Sequence, residues 1–385
     1  MAVRSGINNQ ISYAVETTPG VPTVAGMAFI PLMEGDSLAA SRERIEAEGI
    51  IPGKRVLTPG MRNGGPITVG GDTSHELYNR GLQPLLTAWF GDPAVTDLGS
   101  GRYQRVWTPN EPRALTIQKG VVSLDQGVVE PFTFPGSMAE SWELSCSAGE
   151  IATVSTTWHS MRQYDYRAVT DGATTNASPT VTSATAEFEF EDIGKAIVGA
   201  GIPANTTIIG VTSATTATMS ANATATATGV ALTFGVPLAT ANYPVGLKPF
   251  KYTHGAVTID GDPVQVRQLT VSGDNALNTD RRFIGTPWAE QALESGLHVY
   301  EGSFEGEFRS TAQYRRFITG DAHPTTVAFA NLSGDSLTID MLASYDPETP
   351  SGNGRDVTTL NLPFKCVGDT DADAITVTLV NGDAP

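Results

Sequence analysis

A chain of 385 residues is too long for one ordinary small domain and suits two or three. Hydrophobic residues make up 40% and charged residues 17%, so real cores can form under a surface with few charges; either self-association covers part of it, or neutral Thr, Ser and Gly fill it. Lys and Arg total 24 against 41 Asp and Glu, a net charge of −17, which argues against phosphate neutralisation of duplex DNA and sets up a field that repels it.

The 40 Gly and 24 Pro punctuate turns, and the many Thr fit half-buried pleated surfaces. Many short strands are expected, with little helix. Met1–Gln10 has one Arg and no apolar run, so no secretory signal is read there. No apolar run approaches the ~18–20 residues of a membrane helix, and a soluble protein made in a cytosol is expected. Cys146 and Cys366 lie far apart and make no metal spacing.

In chain order, Leu38–Gly60 reads as a charged, turn-rich loop carrying Arg42, Glu43, Arg44, Glu46, Glu48, Lys54 and Arg55. Ser74 to Gly91 reads as a helix, with Ser74 as cap and Leu77, Tyr78, Leu85, Leu86 and Trp89 as its stripe, weakened by Gly81 and Pro84. Alternation of Trp142, Leu144 and Cys146, then Ala152, Val154 and Trp158, predicts a hairpin over Glu140–Trp158.

Composition shifts near Ala168 and again near Gly235, enclosing a Thr/Ala/Ser/Gly-rich segment whose one basic residue is Lys195. Val181–Thr185 returns there as Val211–Thr215. Ile208, Ile209, Met219, Leu232 and Phe234 stand among Thr, and Phe188, Phe190, Ile193, Ile197 and Val198 cluster as disordered tracts rarely do. A folded β insert of about 70 residues is expected, near the lower size limit for independent folding. The domain reading is a discontinuous body, 1–167 and 237–385, with an inserted β domain at 168–236.

Val264 and Val266 share one parity, and Leu269 and Val271 take the other, which predicts a bulge or break near Arg267. A short second helix is expected over Pro287–Glu294. In Leu297–Ser310, Tyr300, Phe304 and Phe308 hold the even positions with Gly302 and Gly306, and Glu301, Glu305, Glu307 and Arg309 the odd ones. That is a strand with one aromatic and one acidic face. Leu337, Ile339 and Met341, then Leu360, Leu362 and Phe364, then Ile375, Val377 and Leu379, alternate as strands.

Catalytic chemistry finds no foothold. His75-Glu76 opens like a zinc-protease helix, but four residues after His75 stands Asn79. Asp369, Asp371 and Asp373 mimic a calcium loop, yet Ala374 replaces the turn Gly and Val380 the bidentate Glu, so a solvated turn is read. Gly60–Gly65 has no Gly-Lys-Ser/Thr after it, and no Gly-x-Ser-x-Gly elbow occurs. His75, His159, His254, His298 and His323 stand singly and read as surface or interface residues. No cofactor is implied.

The segment Ile11-Ser12-Tyr13-Ala14-Val15-Glu16-Thr17-Thr18-Pro19-Gly20 resembles the start of tail tube proteins of long, non-contractile-tailed bacteriophages. Ile50–Arg55, Leu85-Leu86 through Phe90-Gly91, the Tyr314 segment and Ile375–Gly382 follow in the family's order, so the resemblance spans both ends and everything except the insert. Asp192-Ile193-Gly194-Lys195 with Gly199–Pro203 is similar to small β modules of phage virion proteins, which in a tube subunit would project outwards.

The resemblance implies a mainly β fold of packed antiparallel sheets, as sandwich or barrel, with one flanking helix. It also implies a structural role and no enzyme activity. Six copies would close a ring, and rings would stack around a tape-measure protein into a tube through which DNA passes. Tail terminator and distal tail proteins would be further partners, with assembly in the host cytoplasm and no membrane. On that reading Glu301, Glu305 and Glu307 face the lumen, the alternative being an ordinary solvated outer face. The 38–60 loop docks on a neighbouring subunit, the alternative being a solvated loop. The competing function is another β-rich virion or surface component, a capsid decoration or a glycan-binding adhesin.

Overall fold

The alternating β-branched and aromatic runs form twenty-six strands in a computed structural model, which describes residues 6–49, 51–123, 128–308, 318, 320–346, 349 and 358–384. Ile50, Arg309, Ser310 and Tyr314, singled out above, lie outside the described residues. The first strands are β1 (Gln10–Val15), β2 (Ala28–Phe29), β3 (Ala39–Glu46), β4 (Arg62–Glu76), β5 (Ala94–Gly99) and β6 (Arg102–Trp107). After them come β7 (Leu115–Val122), β8 (Val129–Ser147), β9 (Thr153–Ser160) and β10 (Tyr164–Asp165). The Thr-rich segment supplies β11 (Arg167–Thr174), β12 (Thr180–Thr182), β13 (Ile197–Gly199), β14 (Ile208–Ser213), β15 (Thr216–Met219) and β16 (Ala227–Phe234). The chain continues with β17 (Gly255–Ile259), β18 (Asp262–Val264), β19 (Val266–Asp274), β20 (Leu277–Asn278) and β21 (Leu293–Glu294). It ends with β22 (Val299–Glu307), β23 (Ala322–Ala330), β24 (Ser336–Tyr345), β25 (Thr359–Cys366) and β26 (Ile375–Asn381).

One antiparallel run orders β3-β4-β9-β8-β19-β22-β25. A second orders β18-β17-β23-β24-β26-β6-β5. Ala343–Tyr345 of β24 pair with β25 and join the two, so the sheet curls into a half-barrel. The long β8 also reaches into a smaller group with β7, β10, β1 and β2.

Between the two runs lies helix α1 (Gln83–Phe90), every residue of which from Pro84 onward is buried. A helix apolar all round belongs inside a core, and at this length only its neighbours hold it together. Trp89 stacks on Trp142 of β8 with ring centroids 4.8 Å apart, and Phe90 stacks on Tyr300 of β22. Leu337, Ile339 and Val377 close the other side of the same cluster.

The alternations read from sequence hold. Trp142, Leu144, Cys146, Val154 and Trp158 point inward on the β8–β9 hairpin, and the strand breaks between β18 and β19 with a register shift at Val266/Gln268. Several expectations are corrected. Ser74 caps no helix: Ser74–Glu76 end β4, paired with Val154, Ser155 and Thr153 of β9, and α1 starts only where Pro84 can occupy its first turn. Pro287–Glu294 is extended, with Trp288 bridging Ile67 and Ala289 bridging Arg282. The 38–60 loop opens with β3, paired to β4 from Ala39 to Glu46. His75 and His159 are core residues, 1% and 6% exposed.

The six insert strands run β13-β16-β11-β12-β15-β14. Backbone bonds from Ile197 N to Thr206 O and from Ile208 N to Lys195 O bring the two ends together, so the sheet closes on itself. Val181, Phe188, Ile197, Ile208, Met219, Leu232 and Phe234 fill a core of its own. The two Val-Thr-Ser-Ala-Thr copies lie side by side, Ser183 N donating to Thr215 O.

Candidate assembly surfaces

Because side chains alternate across a strand, burying Tyr300, Phe304 and Phe364 fixes what the other face of the central run carries. That face presents Asp72 and Glu76 from β4, Glu143 from β8, Asp274 from β19, and Glu301, Glu305 and Glu307 from β22. Short Ser and Thr fill the positions between, among them Ser74, Ser145, Ser155, Thr157, Thr270, Ser272 and Ser303. Lys365 stands opposite Glu301 at 3.7 Å, and Arg267, thrown onto this side by the β18–β19 break, pairs with Glu307 at 2.7 Å. Glu305 lies across from Gln268 and Asn361. The three glutamates expected on one face are therefore together on an acidic, hydroxyl-rich surface.

Gly302 makes the buried side of β22 possible. A Cβ there would lie 2.7 Å from the Phe364 ring and closer still to the Thr270 carbonyl. With none, Phe364 stacks on Phe304 at 4.9 Å.

The charged segment after Leu38 forms a hairpin arm. Its root is held by Lys119, which ion-pairs with Asp36 at 2.6 Å and donates to Leu38 O, and by Gln163, which accepts from Ala40 N. Beyond Ala40 the residues of β3 are exposed, as are Glu48, Lys54 and Arg55. Arg42, Glu43, Arg44 and Glu46 all lie on β3, and Glu46 pairs with Arg62 across the hairpin. β4 is the strand that β3 pairs with, β9 covers β4 only from Val69 onward and Trp288 bridges Ile67, so beyond Ile67 the arm's outer edges have no strand partner among the described residues. Exposed Ile45, Ile51, Val56 and Leu57 line it and its tip.

Two buried groups account for sequence features whose role the alternation pattern could not reveal. Glu16, 1% exposed, accepts from Gly20 N at 2.7 Å, Gly136 N at 2.9 Å and the Thr116 hydroxyl at 2.7 Å. Burial pushes its carboxyl up, against the pull of those donors. The Glu-Thr-Thr-Pro-Gly run is thus a turn closed by its own first side chain and stapled to β8. His75 donates from Nδ1 to Pro31 O and accepts at Nε2 from the Tyr13 hydroxyl at 2.6 Å, which ties β4 to β1. Burial holds the imidazole below its usual value.

At the insert's root, Lys195 is 2% exposed and pairs with Asp192 at 2.7 Å and with Asp165. Arg167 also reaches Asp192, at 2.5 Å. Burial raises the Asp192 carboxyl, but the bonds from Lys195, Glu189 N and Arg167 outweigh it and hold the group below the ordinary range. Asp371–Ala374 forms one turn, α2, capped by the Thr370 hydroxyl. Among the described residues no three His, Cys, Asp or Glu are grouped to hold a metal, and no helix is long and apolar enough to cross a membrane.

The half-barrel of antiparallel strands, its acidic polar face and the projecting hairpin arm define a β-sheet protein of structural type. The model of a family described as phage tail tube protein matches residues 6–218 and 206–366, and the chain belongs to that family. It is therefore a structural protein of a phage virion tail, from a family that self-assembles into a tube. The matches run through the insert and stop before β26, so they differ from the resemblance read above, which left out the insert and took in the closing strand. No curated protein matches the chain.

Proposed function

We propose that this subunit polymerises as stacked six-membered rings into the tail tube of a long-tailed phage, a conduit for genome delivery. The observation that carries the reading is the acidic face of the central run, whose outer strand β3 pairs, among the described residues, only with β4. In each ring the central runs would close one barrel with Glu301, Glu305 and Glu307 toward the bore, because closure removes the exposed edges. A bore lined by carboxylates and short hydroxyls repels a phosphate backbone and offers nothing for bases to stack on. The arm carrying Arg42, Glu43, Arg44, Glu46, Glu48, Lys54 and Arg55 would dock on a neighbouring subunit, its mixed charges setting register.

Residues 168–236 would form a separate domain projecting outwards. A tape-measure protein would occupy the bore during assembly in the host cytoplasm, with terminator and distal tail proteins at the two ends. Negative-stain microscopy of the concentrated subunit tests the core claim. Hollow tubes with six-fold end views are expected; a subunit that stays monomeric at every concentration, or rings of another symmetry, would refute it.

A further inference from the structure

Beyond Ile67 the strands of the arm pair, among the described residues, only with each other, and a lone hairpin is marginal in water. On the body side, Ile67 across from Arg42 donates its amide to Pro287 O, and Arg282 donates to Ile67 O and the Thr68 hydroxyl; on the insert side, Arg42 Nη1 meets Glu191 Oε1 at 2.5 Å. Three local features build that contact. The β3–β4 register shifts between Arg42 and Arg44, a bulge that re-aims the Arg42 side chain. Gly64 stands where any Cβ would meet the Arg42 guanidinium at 2.4 to 2.7 Å, so its bare backbone leaves room for the group. Glu191 precedes Asp192, the centre of the buried Lys195–Arg167 cluster, inside the 3-10 turn Phe190–Asp192.

The root of the insert packs against the body, where Lys195 pairs with Asp165. The Asp165 carbonyl would lie against any Cβ on Gly235, and the Tyr164 hydroxyl sits 2.5 Å from where a Gly194 Cβ would be. A line of contacts therefore runs from the body through Lys195, Asp192 and Glu191 to Arg42.

We propose that the insert is a brace for the assembly arm, with Arg42–Glu191 as the clamp that fixes the arm's direction before it meets a neighbour. Arg42 and Glu191 are positioning residues on this reading. The brace itself follows from the contacts within one subunit; its benefit to polymerisation rests on the docking role proposed above. A partly exposed ion pair shifts a local equilibrium by up to about five-fold, enough to matter for a segment that opens by itself.

The test is amide hydrogen exchange on the unassembled full chain, comparing wild type, Arg42→Glu, Glu191→Arg and the double swap. Each single reversal should speed exchange at residues 42–46 and 62–65 by about two- to five-fold, with Leu232 in the insert and Val271 in the body unchanged. The swap should return the arm to the wild-type rate, which a general loss of packing would not allow. Unchanged arm exchange in the single variants, or no recovery in the swap, overturns the brace. Tube growth is followed on the same proteins. Slower growth in the singles with recovery in the swap supports the proposal in full. Faster arm exchange with unchanged growth supports the brace and counts against docking.

Discussion

Replacing Glu16 separates two explanations for the Glu-Thr-Thr-Pro-Gly run, a surface motif for partners or an internal staple. Glu16→Ala leaves the amides of Gly20 and Gly136 without their acceptor, and frees the Thr116 hydroxyl, which itself holds Thr23 N at 2.8 Å. A buried Gly136 amide and a half-buried Gly20 amide at up to about 1–3 kcal/mol each, less the burial cost that raises this carboxyl, put the loss at about 2–4 kcal/mol. Glu16→Gln keeps an oxygen for Gly136 and Thr116 but turns an amide donor toward Gly20 N, for about 1–2 kcal/mol. All five tryptophans, Trp89, Trp107, Trp142, Trp158 and Trp288, lie outside the insert, so urea unfolding followed by tryptophan fluorescence reads the body alone. A Glu16→Ala loss under 1 kcal/mol, or a Gln variant worse than the Ala variant, would refute the staple.

Gly302→Val should cost about 1–3 kcal/mol by the same assay, because the new side chain must displace the Thr270 carbonyl or the Phe364 ring; wild-type stability would count against the close approach. His75 is held below the ordinary imidazole value of 6.5, so the unfolded chain takes up its proton first and stability falls as pH drops below about 6.5. His75→Gln should flatten that part of the pH profile in thermal melts, and an unaltered slope would show that another group titrates there. Tubes of Glu301→Lys/Glu305→Lys should retain short duplex DNA with affinity that falls as salt rises, whereas wild-type tubes should not. Equal retention by both would place these carboxylates away from the bore.

The sheet was legible wherever one face is buried, because period-two alternation then fixes both faces at once. Tyr300, Phe304 and the glutamates between them are the clearest case. Legibility failed where the chain is buried on every side. Leu85, Leu86, Trp89 and Phe90 carry no polar face to set a helical phase, so the apolar run was extended backward into Ser74–Glu76, which belong to β4. It failed too where a strand is buried on neither face: β3 shows charges on both sides and reads as a loop, and only its pairing with β4 reveals the hairpin. The buried role of His75 depends on Tyr13 and Pro31, far away in sequence, and no local signal carries that. Glu16 offered a faint one, a carboxylate four residues before a Gly in a Thr-Thr-Pro turn.

The insert and the body answer the same physical problem in opposite ways. An unpaired strand edge is a liability in any soluble β protein. Across residues 167–234 the edges meet and bond, so a second copy finds little unpaired backbone there to add a strand to. In the body β3 and β5 each have, among the described residues, one partner strand, and β5 is exposed along its whole length. Concentration dependence should therefore reside in the body, since only there does another chain supply backbone bonds the monomer lacks. The insert can then act on assembly only through what it touches, and among the described residues its ion pair with the arm is Arg42–Glu191. A module closed to strand addition but clamped to an open hairpin can change how fast copies join without changing what they join into.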